Sequence, residues 1–132
     1  MASFPQNPIH VIARAAVGFV WVYHGAVPKL IFQHPDELAI IHQAGVPLQS
    51  AAGIVCWIGW AEIVVGLWVL LGLPSPRWPF LVTIFFGMAT TVGVAIQSPA
   101  FLVAAFNPVS LNVLLIALSW VGLLSSWTCP VS

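Results

Sequence analysis

Hydrophobic residues along this chain fall into four long runs, at about residues 9–32, 51–73, 79–97 and 109–127. The runs are continuous and do not alternate with a period of two, so they predict helices rather than strands. Each comes close to the ~20 residues that a helix needs to cross a ~30 Å hydrocarbon layer. A helix satisfies its own backbone hydrogen bonds in lipid, whereas a barrel would need many short alternating segments. Every proline except Pro28 lies outside these runs or at an edge, Pro8, Pro35, Pro79 and Pro108 among them. Proline has no N–H and clashes with the preceding turn, so helix interiors reject it. Pro28 sits near the end of the first run and predicts a kink, or the end of regular helix, at that point.

Two connections have patterns of their own. Residues 33–50 read QHPDELAIIHQAGVPLQS. Pro35, Asp36 and Glu37 suit the first turn of a short helix, through a fixed φ and favourable charge at the positive end of the dipole. Leu38 and Ile41 share a face, and Gly45 is a plausible stop. The segment predicts a short amphipathic helix at the membrane interface. Residues 98–108 contain AFLVAAF, too short to cross and too apolar for water, and predict an interfacial or re-entrant segment.

Composition agrees. Charged residues make up 5% of the 132 positions, against the ~25% usual in soluble domains, too few to cover a water-facing surface. Zero formal net charge and the lack of a basic patch argue against nucleic acid as a partner. The runs leave no room for a separate soluble domain, so residues 1–132 read as one domain. The start lacks a signal-peptide pattern, and the first run is expected to be retained. The fold class expected is all-α, an integral membrane four-helix bundle with a short amphipathic helix between helices 1 and 2. Arg14 and Arg77 fall on one side and Lys29 on the other, which leans the termini towards the cytoplasm. Cys56 and Cys129 would lie near opposite faces, so a disulfide between them is not expected. Among the tryptophans, Trp78 and Trp127 mark run ends, while Trp21, Trp68 and Trp120 are expected to pack between helices.

Charges inside the runs need a reason, since each costs roughly 2.5–3.5 kcal/mol on insertion scales. Arg14 and Lys29 lie near the ends of the first run and could snorkel. Glu62 lies in the middle of the second, where snorkelling is hardest. Arg14, Gly18, Trp21, Gly25 and Pro28 recur at helical spacing and form one stripe, and Gly59, Glu62 and Gly66 form another. Small residues let helices approach closely, so Glu62 is expected to face the first helix. His24 lies at a similar depth, making a His24–Glu62 contact feasible, with Tyr23 or Asn112 joining it. The candidates for a ligand-binding or proton-active centre are therefore His24, Glu62, Tyr23, Arg14 and Asn112. Structural glue between two helices is the equal alternative. No metal site is expected: His34 and His42 are weak candidates whose spacing matches no zinc pattern, and they read better as solvated residues. His10 is expected among headgroups, and Cys56 as an inert thiol. Asn107 is expected to cap the fourth helix.

The run RAAVGFVWVYHGAVPKLIFQHPDEL followed by HQAG resembles the opening of the DoxX-like membrane proteins. FNPVSLNVLLIALS resembles their last helix, and GWAEIVVGLWVLLG their second, with Glu62 at its glutamate. The resemblance spans nearly the whole chain and implies a four-helix membrane protein. Some relatives are subunits of thiosulfate:quinone oxidoreductase, and others sit in membrane redox or detoxification assemblies. The function this implies is a small integral membrane subunit of a redox-linked complex, in a bacterial inner membrane, whose buried polar seam could bind a quinone, haem or other small ligand, with the cofactor itself left open. Its partners would be the lipid bilayer and other membrane or membrane-associated subunits, or further copies of itself. Two alternatives stand beside it, a non-catalytic structural or assembly subunit and a small transporter acting as an oligomer. No nucleophile motif or dinucleotide fingerprint is present, so whether the chain is an enzyme is left open.

Overall fold

The computed structural model describes residues 7–73, 75, 77–105 and 107–126, and all its regular elements are helical. The first span is α1, Pro8–His24, continued without a break by a π-helical segment, Gly25–Ile31. A short helix, α2, covers Pro35–Gln43. The other spans are α3, Leu48–Leu71; α4, Trp78–Gln97; and α5, Pro108–Ser125. Trp127 and Cys129 lie outside the described residues.

Local chemistry explains the boundaries. Asn7 Oδ1 accepts the Ile9 N–H at 3.0 Å, and Pro8 occupies the first turn of α1. Asn107 Oδ1 accepts the Ser110 N–H at 2.8 Å and caps α5, as its place directly before Pro108 at the start of the fourth run suggested. The backbone carbonyl of Pro47 accepts from Ser50 and Ala51, so α3 begins before the first residue of the apolar run. It ends at Gly72, whose φ of +69° is left-handed and whose N–H bonds Trp68 O.

Pro28 neither ends the first span nor breaks it. In an α-helix the carbonyl of His24 would need the N–H of residue 28, which proline lacks. The π register shifts each bond one residue further, so that Phe32 N–H reaches Val27 O at 3.1 Å. The span thus stays hydrogen-bonded through residue 31. Among the described residues after α4, a 3-10 turn, Pro99–Leu102, is followed by bends at 103–105.

Within the bundle α1 packs on α3 and on α5, α5 packs on α4, and α3 only brushes α4. A small core of Val17, Val69, Phe80, Leu115 and Leu123 lies between them. Trp21 joins it and donates to Thr83 Oγ1 at 2.9 Å, tying α1 to α4. Trp68 is half-buried and donates to Leu73 O. Trp120 does not pack between helices but is exposed, because α5 turns that face outward. In no span is more than 28% of the most apolar window buried inside the bundle. Phe19, Val64, Phe85 and Leu114 all face outward. So much apolar surface on four helices of spanning length makes this an all-α membrane bundle.

Candidate functional site

Two glycine pairs join the first span to α3, one on α1 and one at the start of the π-helical segment. A Cβ on Gly66 would stand 2.9 Å from Gly18 O, and one on Gly59 would stand 2.8 Å from Gly25 O. The backbones are therefore in direct contact at two levels, in antiparallel register, on the stripes that helical spacing picked out. Glu62 lies between Gly59 and Gly66 and is held in this seam.

Lys29 lies one turn beyond Gly25 on the same stripe. It does not snorkel. It is buried, and its ammonium turns back into the bundle. Helical side chains lean towards the N-terminus of their own helix. Because the two spans are antiparallel, that lean carries Lys29 inward and carries Glu62 towards the α2 end, and the two groups meet. Lys29 Nζ is 3.1 Å from Glu62 Oε2, an ion pair whose angles do not form a directed hydrogen bond at that oxygen. Nζ donates to Glu37 Oε1 of α2 at 3.0 Å and reaches His24 O at 3.5 Å, the outer limit of a hydrogen bond. The three side chains are 7%, 18% and 25% exposed for Lys29, Glu62 and Glu37. One buried cation thus stands between two carboxylates contributed by two other helices, and the cluster has a formal surplus of one negative charge.

The other candidates are distributed around this centre. Glu62 finds Lys29 where the sequence paired it with His24. His24 is half-buried within electrostatic reach of Lys29 and Glu37, and its ring stands edge-on to Tyr23 at 6.2 Å. Tyr23 packs on Phe19 and faces outward, 48% exposed. Asn112 does not join the cluster, since α5 does not border this part of the seam. It donates instead to Thr90 Oγ1 at 3.1 Å and Thr91 Oγ1 at 3.0 Å on α4. Arg14 lies at the opposite end of the seam. Its Nε donates to Val69 O at 3.1 Å and its Nη2 to Leu70 O, so it caps the C-terminus of α3, where the dipole favours a cation. A groove of about 260 Å³ lined by Val11, Arg14, Ala15 and Leu70 opens there.

His34 and His42 are exposed. His34 Nδ1 accepts the Asp36 N–H at 3.3 Å as the cap of α2, and His42 Nδ1 is 2.9 Å from Val46 O. Among the described residues no three His, Cys, Asp or Glu side chains converge as a metal-binding group. Cys56 is half-buried and free. His10 is a correction. It is buried rather than set among headgroups, with Nδ1 3.0 Å from Gly122 O and 3.2 Å from Ser125 Oγ, and its ring edge-on to Phe80.

Lys29 and Glu37 are the residues that sequence reasoning left out of the centre. The signal for Lys29 was its position four residues after Gly25. The Glu37 contact depends on how α2 folds back, which no spacing in the chain reveals.

Comparison with known proteins adds one finding. The family model described as the DoxX-like family matches residues 18–120, a stretch that contains Lys29, Glu37 and Glu62. Neither curated proteins nor solved structures give a match.

Proposed function

The chain belongs to the DoxX-like family and is a small integral membrane protein, and on that footing we propose that it is a subunit of a redox-linked membrane complex. In this reading the Lys29–Glu37–Glu62 cluster, flanked by His24, takes up a proton or the polar head of a small apolar ligand of the quinone class. Residues 1–132 act as one domain in a bacterial inner membrane, with the termini on the cytoplasmic side. One observation carries the reading: a buried ammonium is matched by more carboxylate than it needs, and such groups within a span are costly enough to suggest use. Glu62 keeps some side-chain exposure, although its Oε2 is buried. Haem fits this seam poorly. Backbone contact at Gly25–Gly59 and Gly18–Gly66 leaves no slot for a flat macrocycle between α1 and α3.

The test is purification from native membrane, with mass spectrometry of both proteins and extracted small molecules. A quinone is expected to accompany the unaltered complex and to be lost in Glu62→Gln, with the partner subunits retained. If no small molecule is found, and neither Glu62→Gln nor His24→Ala alters turnover of the complex, the ligand reading fails. A second reading, a non-catalytic assembly subunit, draws support from Trp57, Trp60, Trp78 and Trp120, large rings that the bundle leaves facing outward. Retained partners with unchanged turnover in those same variants would favour it.

A further inference from the structure

The short helix α2 folds as a unit and is held to the bundle by few bonds. His34 caps its start, the N–H groups of Ala44 and Gly45 bond back to Ile40 and His42 at its end, and none of its residues is fully buried. Residues 37–41 in the middle of α2 are half-buried, while Pro35, Asp36, His42 and Gln43 at its ends are exposed, and the helix rests mainly on α3. The segments on either side turn through left-handed backbone, at Gln33 (φ +43°) and Gly45 (φ +92°). Both positions lie at element ends, the kind of position that absorbs the backbone change when an element swings. Between these two points, Glu37 Oε1 reaches inward to Lys29 Nζ.

Lys29 has a second counterion in Glu62, on a helix that does not move with α2. An ammonium with one carboxylate would be stranded in the bundle if that carboxylate swung away. With two, α2 can lift while Lys29 and Glu62 remain paired. We infer that α2 is a lid over the Lys29–Glu62 pair, hinged at Gln33 and Gly45, with Glu37 as its latch. When it opens, the pair faces the interface, and Glu62 is the fixed counterion. The lid would admit the ligand of the proposed function, but its existence does not depend on that reading.

The experiment measures opening directly and needs no ligand. In a Cys56→Ser/Cys129→Ser background in lipid nanodiscs, a water-soluble maleimide is reacted with Leu38→Cys, in the half-buried middle of α2, or with Gln43→Cys, at its exposed end. Leu38→Cys is expected to react more slowly than Gln43→Cys. Adding Glu37→Gln should speed it roughly tenfold, as expected for loss of one charge-assisted hydrogen bond at a partly exposed site, with Gln43→Cys unchanged. Adding Glu62→Gln instead should leave Leu38→Cys at its original rate. Equal rates at Leu38→Cys with and without Glu37→Gln would overturn the latch. An equal acceleration by Glu62→Gln would overturn the division into latch and fixed counterion. The Gln43→Cys rate and the melting midpoint of each variant separate lid opening from general unfolding.

Discussion

Lys29 is a buried ammonium paired with carboxylates from two other helices. Removing one partner of a buried ion pair typically costs about 3–5 kcal/mol, because the other charge is stranded. The carboxylates here keep some exposure, so Lys29→Met is expected to cost about 3 kcal/mol, the lower end of that range. The triple variant Lys29→Met/Glu37→Gln/Glu62→Gln removes all three charges and is expected to recover most of the loss. Denaturation in detergent checks both, and a triple variant less stable than Lys29→Met would refute the account. Asn112 contrasts with this. Interhelical hydrogen bonds in membranes average ~0.6 kcal/mol, so Asn112→Leu should cost under about 2 kcal/mol despite two donor contacts. The sequence showed that Glu62 needed a partner but not which one. Lys29 sits close enough to a span end for snorkelling to be the default, and only the antiparallel lean of two side chains turns it inward. His10 was misplaced for a related reason: its partners on α5 lie more than a hundred residues away.

At the scale of elements, hydropathy made the four spans legible, and residue spacing made the glycine stripes legible. Gly66→Val should be severe, because a Cβ there meets Gly18 O at 2.9 Å, backbone that cannot step aside. Gly53 has open space around its Cβ position, and Gly53→Ala should stabilise α3 by about 0.5–1 kcal/mol through helix propensity. Thermal melting of the two variants should therefore move in opposite directions. Pro28 was visible as an interruption, but the choice between kink, stop and π register depends on whether the next N–H can reach a vacant carbonyl. Pro28→Ala supplies the missing donor and should return residues 25–31 to α register. That would turn Lys29 about 100° around the helix, given 3.6 residues per turn. The coupling between Lys29 and Glu62, measured by a double-mutant cycle, should then fall towards zero.

Orientation in the bilayer belongs to the whole molecule, and here the structure changes what the sequence argument rests on. The positive-inside lean counted Arg14 and Arg77 against Lys29. Arg14 caps the end of α3, and Lys29 is buried against two carboxylates, so both are committed within the spans. Arg77 lies in the connection between α3 and α4, exposed, at the kind of position near span ends where a loop cation would act on topology. With the termini proposed as cytoplasmic, Arg77→Glu should produce a mixed population of both orientations, since loop cations near span ends set topology. Reporter fusions at the C-terminus, read separately on each side of the membrane, would measure it. Lys29→Met should leave orientation unchanged while destabilising the bundle. A reversal with Lys29→Met and none with Arg77→Glu would mean that the buried ammonium guides insertion before its carboxylates arrive.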